Sequence, residues 1–370
     1  MPTPQGPPRI HSYAEILQHL GAAPSLLLGN GFSIGASRSY SYQAIYDSTR
    51  DTLPAIPREL FDKLGTSNFE QVMQILQDSC EINERYHGAD IEPLNEKLLA
   101  DLEATRRAMV EAIARDHLPS PSALGEEVDA LGASKAGASK AGGSTAGESK
   151  ADYAAGFLDR YARIFTTNYD LLLYWLTLRV RDADGYKYPD GLRRPDGADY
   201  GAFDPSIETT MFFLHGALHL YAHEGSARKT IARPNLRLMT LIQRLLADGK
   251  VPLFIAEGTP DQKRQRIEAN TYLRSGLDAL RSVEGDLVVF GHGLGPSDAH
   301  LLDALAANPR LERLFVGLYK DPETSTNLRL RAALAALRER LPAGRRLEIH
   351  LYASHTAPVW GPVPAARSGE

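Results

Sequence analysis

The chain contains a single cysteine, Cys80, among its 370 residues. Disulfides within the chain are therefore excluded, and so is any multi-cysteine zinc module. Long apolar runs are missing too. The longest, "LLLYWL" at 171–176, is far shorter than the roughly 20 residues of a membrane-spanning helix. Neither sign of charge dominates: 41 Lys+Arg against 46 Asp+Glu leave a net charge of −5, which gives no bulk attraction for nucleic acid or an acidic membrane surface. The opening "MPTPQGPPRIHSYAEIL" has prolines where a secretion signal carries a continuous apolar stretch, so the expectation is a soluble, cytoplasmic protein. What the chain does have is 43% apolar residues, ample for a core in one α/β domain with insertions or in roughly two or three domains.

Strand and helix signals alternate along the chain. A short amphipathic helix is predicted at 11–21, a strand at Ser25–Leu28, and helices at 68–80 and 95–117, where apolar residues recur every three or four positions. "GASKAGASKAGGSTAGESKA", 132–151, repeats ASKAG in tandem and offers almost nothing to bury; it reads as a disordered low-complexity insert in a surface loop. Order resumes with a helix at 152–162 and strands "RIFTTN" (163–168) and "TMFFLHG" (210–216), the latter continuing into "LHLYAH". Further strands are predicted at "VPLFIAEG" (251–258), "DLVVFGHG" (286–293), "RLFVGLY" (313–319) and "RLEIHLYAS" (346–354). Helices are predicted at about 235–248, 261–281 and 325–340.

Strands that are apolar on both faces and alternate with helices imply an α/β, Rossmann-like fold, a mostly parallel sheet with helices on both faces, here with a helical insertion after the first strand. Ligands of such sheets sit beyond the carboxyl ends of the strands. Five groups follow strand candidates directly: Gly29-Asn30-Gly31, Thr167-Asn168, His215-Gly216, Glu257-Gly258 and Gly291-His292-Gly293. In this topology they gather on one rim.

Each group has a functional and a structural reading. The glycines in "LLLGNGFSIG" let backbone approach a pyrophosphate at a helix start, yet an ordinary strand-to-helix turn looks the same, and Gly35 lies one place late for a dinucleotide fingerprint. In "TTNYD", Asn168 and Asp170 suit ribose hydroxyls or a plain helix cap. His215 in "FLHGALH" emerges at a strand end beside a glycine, as a base or as a satisfied structural residue. His219 and His223 invite a metal reading, but no acidic ligand or HExxH form accompanies them, and no metal is expected. In "VVFGHGLGPSDAHLL", Gly291, Gly293 and Gly295 form a second flexible turn, with Ser297 or Asp298 capping the next helix. Asp47 and Asp51, about twenty residues past the first turn, are candidates to meet an adenosine ribose.

In this order, a glycine turn after the first strand, T-N-x-D, H-G and a strand ending in G-x-G-L resemble the sirtuin-like fold. More narrowly, they are similar to bacterial sirtuin-like proteins associated with defence against phage. "LLLGNGFSIGASRSYSYQAIY" also resembles the abortive-infection H family, which opens with G-N-G-F and a Ser-Tyr stretch. The resemblance spans about 25 to 320. It implies two halves of one sirtuin-like domain, 1–131 with the glycine turn and helical insertion and 152–360, followed by a flexible tail at 361–370.

The resemblance also implies roles. Gly29, Asn30, Gly31, Phe32 and Ser33 would bind the pyrophosphate of NAD. Thr167, Asn168 and Asp170 would line the nicotinamide-ribose pocket, His215 would act as base near the ribose, and Gly291 and Gly293 would contact the adenosine half. Asn30 stands where sirtuins have alanine, and Thr167 where they have glutamine. The missing four-cysteine module turns the expectation from protein deacetylation to plain NAD cleavage. The expected activity is thus an NAD glycohydrolase producing nicotinamide and ADP-ribose, acting as an anti-phage effector and kept silent by homo-oligomerisation or a regulatory protein partner. The alternatives are a non-catalytic sensor of NAD or ADP-ribose, and nucleic-acid processing by the basic stretches Arg228, Lys229, Arg233 and Arg237 with Lys263, Arg264 and Arg266, which otherwise read as solvated faces.

Overall fold

Ser25–Leu28 is buried at every position, as expected of a strand covered on both faces. The structure, a computed structural model, describes residues 9–87, 92–118, 149–182, 185–195, 198, 200–232, 237–256 and 258–363. In chain order the described strands are β1 (Ile10–His11), β2 (Ser25–Leu28), β3 (Arg163–Thr166), β4 (Arg181–Asp182), β5 (Gly185–Tyr186), β6 (Leu192–Arg193), β7 (Tyr200–Phe203), β8 (Met211–Phe213), β9 (Leu220–His223), β10 (Ser226–Thr230), β11 (Gly285–Phe290), β12 (Leu311–Leu318) and β13 (Glu348–Ala353).

Seven of them form one sheet in the order β1-β13-β12-β11-β2-β3-β8, and every pairing in it is parallel. From β2 the chain steps outward to β3 and β8. It then crosses back over β2 to β11 and steps the other way through β12 and β13. Counted from β2, this is the 3-2-1-4-5-6 order of a doubly wound sheet, with β1 added at one edge. The reversal falls between β2 and β11, whose ladder pairs Leu28 with Phe290. Both strands therefore end side by side at the place where such sheets open a crevice.

The helical insertion between β2 and β3 comprises Tyr42–Thr49, Ala55–Leu64, Phe69–His87 and Glu92–Asp116. Most of 132–151 lies outside the described residues. Its end does not: Ser149 and Asp152 form a capping box that starts the Lys150–Leu158 helix, two residues ahead of the expected 152. The expected tail is described only to Val363.

Two expectations for the middle of the chain are corrected. "LHLYAH" does not continue β8. It forms β9 in a separate antiparallel sheet ordered β6-β7-β10-β9, because Gly216 at φ +81° turns the chain away. "VPLFIAEG" adds no strand to the parallel sheet. Its described residues carry one isolated bridge, Gly216 with Phe254, and are bound to the loop after β8 by Ala217 N to Leu253 O (3.0 Å) and Ile255 N to His215 O (2.8 Å); Pro252, without an N–H, suits an irregular edge better than a ladder. The predicted helix at 261–281 is two, Pro260–Ala269 and Thr271–Leu280, divided where the Asn270 side chain accepts the amides of Tyr272 and Leu273. No helix among the described residues is long and apolar enough to cross a membrane.

Candidate functional site

The site is built from turns at the carboxyl ends of β2, β3, β8 and β11. The first and last of these turns are packed directly on each other. Gly29 N donates to Phe290 O (3.0 Å) and Gly31 N to Gly291 O (2.9 Å). A Cβ on Gly29 would lie 2.5 Å from His292 Cα, and one on Gly31 would lie 2.7 Å from Gly291 Cα. Gly291 itself sits at φ +67°, where a side chain is strained. The glycines thus allow two backbones to touch, and the amides of Gly29 and Gly31 are already used by the neighbouring turn.

On the β3 side, three buried side chains lock together. Asn168 Nδ2 donates to Gly29 O (3.1 Å) and to Ser33 Oγ (2.8 Å), and Ser33 Oγ donates to Asp170 Oδ2 (2.5 Å). The second carboxylate oxygen of Asp170 accepts from Leu172 N (2.9 Å), but the N-cap of the Leu172–Thr177 helix is Leu171, so Asp170 binds the helix start from one position before the cap and the cap reading is corrected to that extent. Burial raises the Asp170 carboxyl above its ordinary value, opposed by its bonds to Ser33 and Leu172. Asn168 Oδ1 is buried and has no hydrogen-bond partner among the described residues.

Over these turns lies a cavity of about 220 Å³. Of the residues given a ligand role from sequence, Asn30, Thr167, Asn168, Asp170, His215, Gly291 and Gly293 wall it, joined by His292, Gly295, Ser297 and Asp298 of the second glycine loop. Gly29, Gly31, Phe32 and Ser33 stand behind that wall. Phe32 is in the core, its ring 4.9 Å from Trp360, and Ser33 holds Asn168 and Asp170 in place. Four of the five expected groups therefore converge. The fifth does not follow a strand, and Glu257 lies outside the described residues. Asp47 and Asp51 are exposed and do not line the cavity.

Opposite this frame, His215 is buried, its Nε2 3.0 Å from His300 Nε2 and 4.0 Å from Asp298 Oδ1. Its pKa is pushed well below the ordinary 6.5, mainly by burial and further by the Lys263 charge. His300 is lowered to about 3 by burial and by His215. Both rings are thus neutral at pH 7. His292, quoted above only as the centre of a glycine turn, has Nε2 3.7 Å from Asp298 Oδ2 and accepts the Leu294 amide at Nδ1 (2.9 Å). Asp298 occupies the N-cap position of the Ala299–Ala307 helix, but its carboxylate makes no capping bond. His219 and His223 are elsewhere: His219 stacks on Tyr174 (4.9 Å), and His223 lies 3.3 Å from Glu224.

Two charged residues escaped the sequence reading, Glu70 in the cavity wall and Lys263 behind it. Lys263, grouped with a solvated basic face, is fully buried; its Nζ lies 2.9 Å from Glu70 Oε2 and 3.6 Å from Asp298 Oδ1. Glu70 also accepts from Tyr42 OH (2.9 Å) and has its carboxyl raised, chiefly by burial. Little marks either in advance: in "DQKRQRIEA" only Ile267, one turn beyond Lys263, hints at a buried face, and Glu70 reads as an ordinary first-turn acid. In the other basic stretch Lys229 pairs with Asp190 (2.5 Å) and Arg228 lies over the Tyr200 ring (4.1 Å), while Arg233 lies outside the described residues.

Strand order and site together define an α/β protein with a polar cavity at the switch point of a doubly wound sheet. The family model described as a domain of unknown function, DUF4917, matches residues 26–131 and 147–360, and the chain belongs to that family. No curated protein matches it.

Proposed function

We propose that the cavity binds the nicotinamide-ribose half of NAD and hydrolyses its N-glycosidic bond. The observation that carries this reading is the convergence of Asn30, Asn168, Asp170, His215 and Gly291, from the ends of four parallel strands, on one cavity. At about 220 Å³ the cavity is below the roughly 300–1,000 Å³ that encloses a drug-sized ligand, which suits one half of a dinucleotide. Asn168 Oδ1 is an acceptor for a ribose hydroxyl. The carboxylates of Asp170, buried, and Asp298, partly exposed, would oppose positive charge developing on the ribose. A water oxygen would form the new bond to C1′ as the C1′–N bond breaks. Nicotinamide would leave neutral with the bonding electrons, and the water proton would pass to the neutral ring of His215. NAD depletion of this kind would suit an effector held silent by a second copy or a regulatory partner.

A second reading, a sensor that binds NAD or ADP-ribose without turnover, is favoured by the prior commitment of the Gly29 and Gly31 amides and of the His215 ring. Incubating the full chain with NAD and following nicotinamide by chromatography separates them. Hydrolysis predicts release that His215→Ala reduces by on the order of 100-fold or more while NAD still binds, with an acid limb well below the ordinary imidazole range. NAD binding with no release supports the sensor. Neither binding nor release would sink both.

A further inference from the structure

We infer that His215, His300 and Asp298 form a binding site for a divalent first-row transition metal of the zinc type. Among the described residues these three offer donor atoms that all lie within 4.8 Å of one another. The two Nε2 atoms face each other at 3.0 Å, and Asp298 Oδ1 lies 4.0 Å from the His215 nitrogen. Ligand atoms about 2.1 Å from a shared zinc ion are about 3.0 Å apart at a right angle and about 3.4 Å apart at the tetrahedral angle. The ring nitrogens already stand at the right-angle spacing, and the carboxylate, 4.0 Å from one and within 4.8 Å of the other, has to swing toward them to close around an ion.

Hydrogen bonding alone leaves the cluster unsatisfied. Asp298 Oδ1 is a buried carboxylate oxygen with no hydrogen-bond partner among the described residues, and His300 Nδ1 is likewise buried and unpartnered. The nearest cations and rings stand 3.6–4.0 Å from the Asp298 oxygens, beyond hydrogen-bond length but compatible with a small ion between them. The two rings are nearly fully buried, His215 at 2% and His300 at 1% exposure. Two imidazoles and one carboxylate are also the donor set that zinc accepts with one position left open. The donors come from separate elements, the end of β8 and the start of the Ala299–Ala307 helix, so an ion would tie the second glycine loop to the strand end. Lys263 is the competing cation. Its ammonium lies 2.9 Å from Glu70 Oε2 and 3.6 Å from Asp298 Oδ1, the same oxygen that faces His215, so Glu70 has to keep it as the ion takes up that oxygen.

The site overlaps the hydrolase reading at His215 and at the Asp298 carboxylate, and a ring nitrogen bound to a metal accepts no proton, so NAD cleavage is read on the metal-stripped chain. The test reads metal directly. The full chain, stripped with EDTA and dialysed, is titrated with zinc by calorimetry, and its metal content is measured by mass spectrometry after desalting. The expected result is about one zinc per chain with little response to magnesium. His300→Gln and Asp298→Asn should each weaken zinc binding by on the order of 100-fold, while the melting curves of the stripped proteins stay close to that of the stripped parent. Cobalt(II) in the unaltered chain should give visible absorption bands that zinc displaces, which covers the case of a variant that fails to fold. No zinc uptake by the unaltered chain, full uptake by both variants, or equal affinity for magnesium overturns the proposal. Zinc binding together with no NAD cleavage by the stripped chain supports the site and removes the hydrolase, and cleavage by the stripped chain without zinc uptake does the reverse, so the two readings fail separately.

Discussion

On the β2–β3 side of the cavity, Ser33, Asn168 and Asp170 exchange hydrogen bonds with one another and with backbone, leaving a single acceptor, Asn168 Oδ1, unpaired. On the β8–β11 side, three imidazoles, two carboxylates and a lysine are crowded together with Asp298 Oδ1 and His300 Nδ1 unpaired. The first arrangement is a frame: each partner fixes the next, and the low dielectric strengthens every bond. The second carries charge without full internal satisfaction, an arrangement with little structural value of its own. Groups that a fold does not satisfy internally are the ones available to a ligand.

The comparison breaks most sharply at Lys263. Lys263→Met removes the one lysine or arginine ion-paired with the Glu70 and Asp298 carboxylates among the described residues, and we expect a loss of about 3–5 kcal/mol in urea unfolding at about pH 8. The loss should shrink toward about pH 5. Burial already raises the Glu70 carboxyl, and without the ammonium it will take up a proton in the folded state at a pH where the unfolded chain is still ionised. Stability then rises as pH falls. A penalty that is independent of pH would mean that the lysine acts by packing alone. On the other side, Asp170→Ala leaves Ser33 Oγ and Leu172 N without their acceptor, for an expected loss of about 1–3 kcal/mol. An Asp170→Ala loss larger than that of Lys263→Met would reverse the assignment of frame and working side.

The frame was legible in the sequence and most of the working side was not. The all-apolar run into Gly29 and the strand-loop pattern at 166–170 carry local signatures of burial and turn chemistry, and strand alternation placed their ends on one rim. Glu70 and Lys263 meet only through tertiary packing, 193 positions apart. A lysine in a polar helix has no local mark that distinguishes burial from solvation. Asp298 shows the opposite problem: its residue type and position fit a helix cap so well that the cap hides a carboxylate turned toward three rings. The separate antiparallel sheet was missed for a backbone reason, the left-handed turn at Gly216, where a Cβ would lie 2.0 Å from Leu253 O.

His219 provides the smallest test and isolates burial from the cavity chemistry. It lies one turn beyond His215 in sequence and is fully buried, but neither ring nitrogen has a hydrogen-bond partner among the described residues. Its contacts are those of an aromatic ring, stacked 4.9 Å from Tyr174 and edge-on 5.1 Å from Phe213. Burial, with the nearby Lys229 charge, holds its pKa well below 6.5. His219→Phe keeps both ring contacts and removes two unsatisfied polar atoms, against a slightly larger ring to accommodate. At pH 7 the expected gain is within about 1 kcal/mol. Below about pH 6.5 the unfolded histidine takes up a proton that the folded one refuses, so the parent loses stability and the variant does not. The gap should therefore widen by up to about 1.4 kcal/mol per pH unit, read from melting curves at pH 7 and pH 5. A gap that stays constant or favours the parent at both values would show that the His219 ring nitrogens are engaged after all, and that unpaired imidazoles in this molecule do not by themselves mark a site for a ligand.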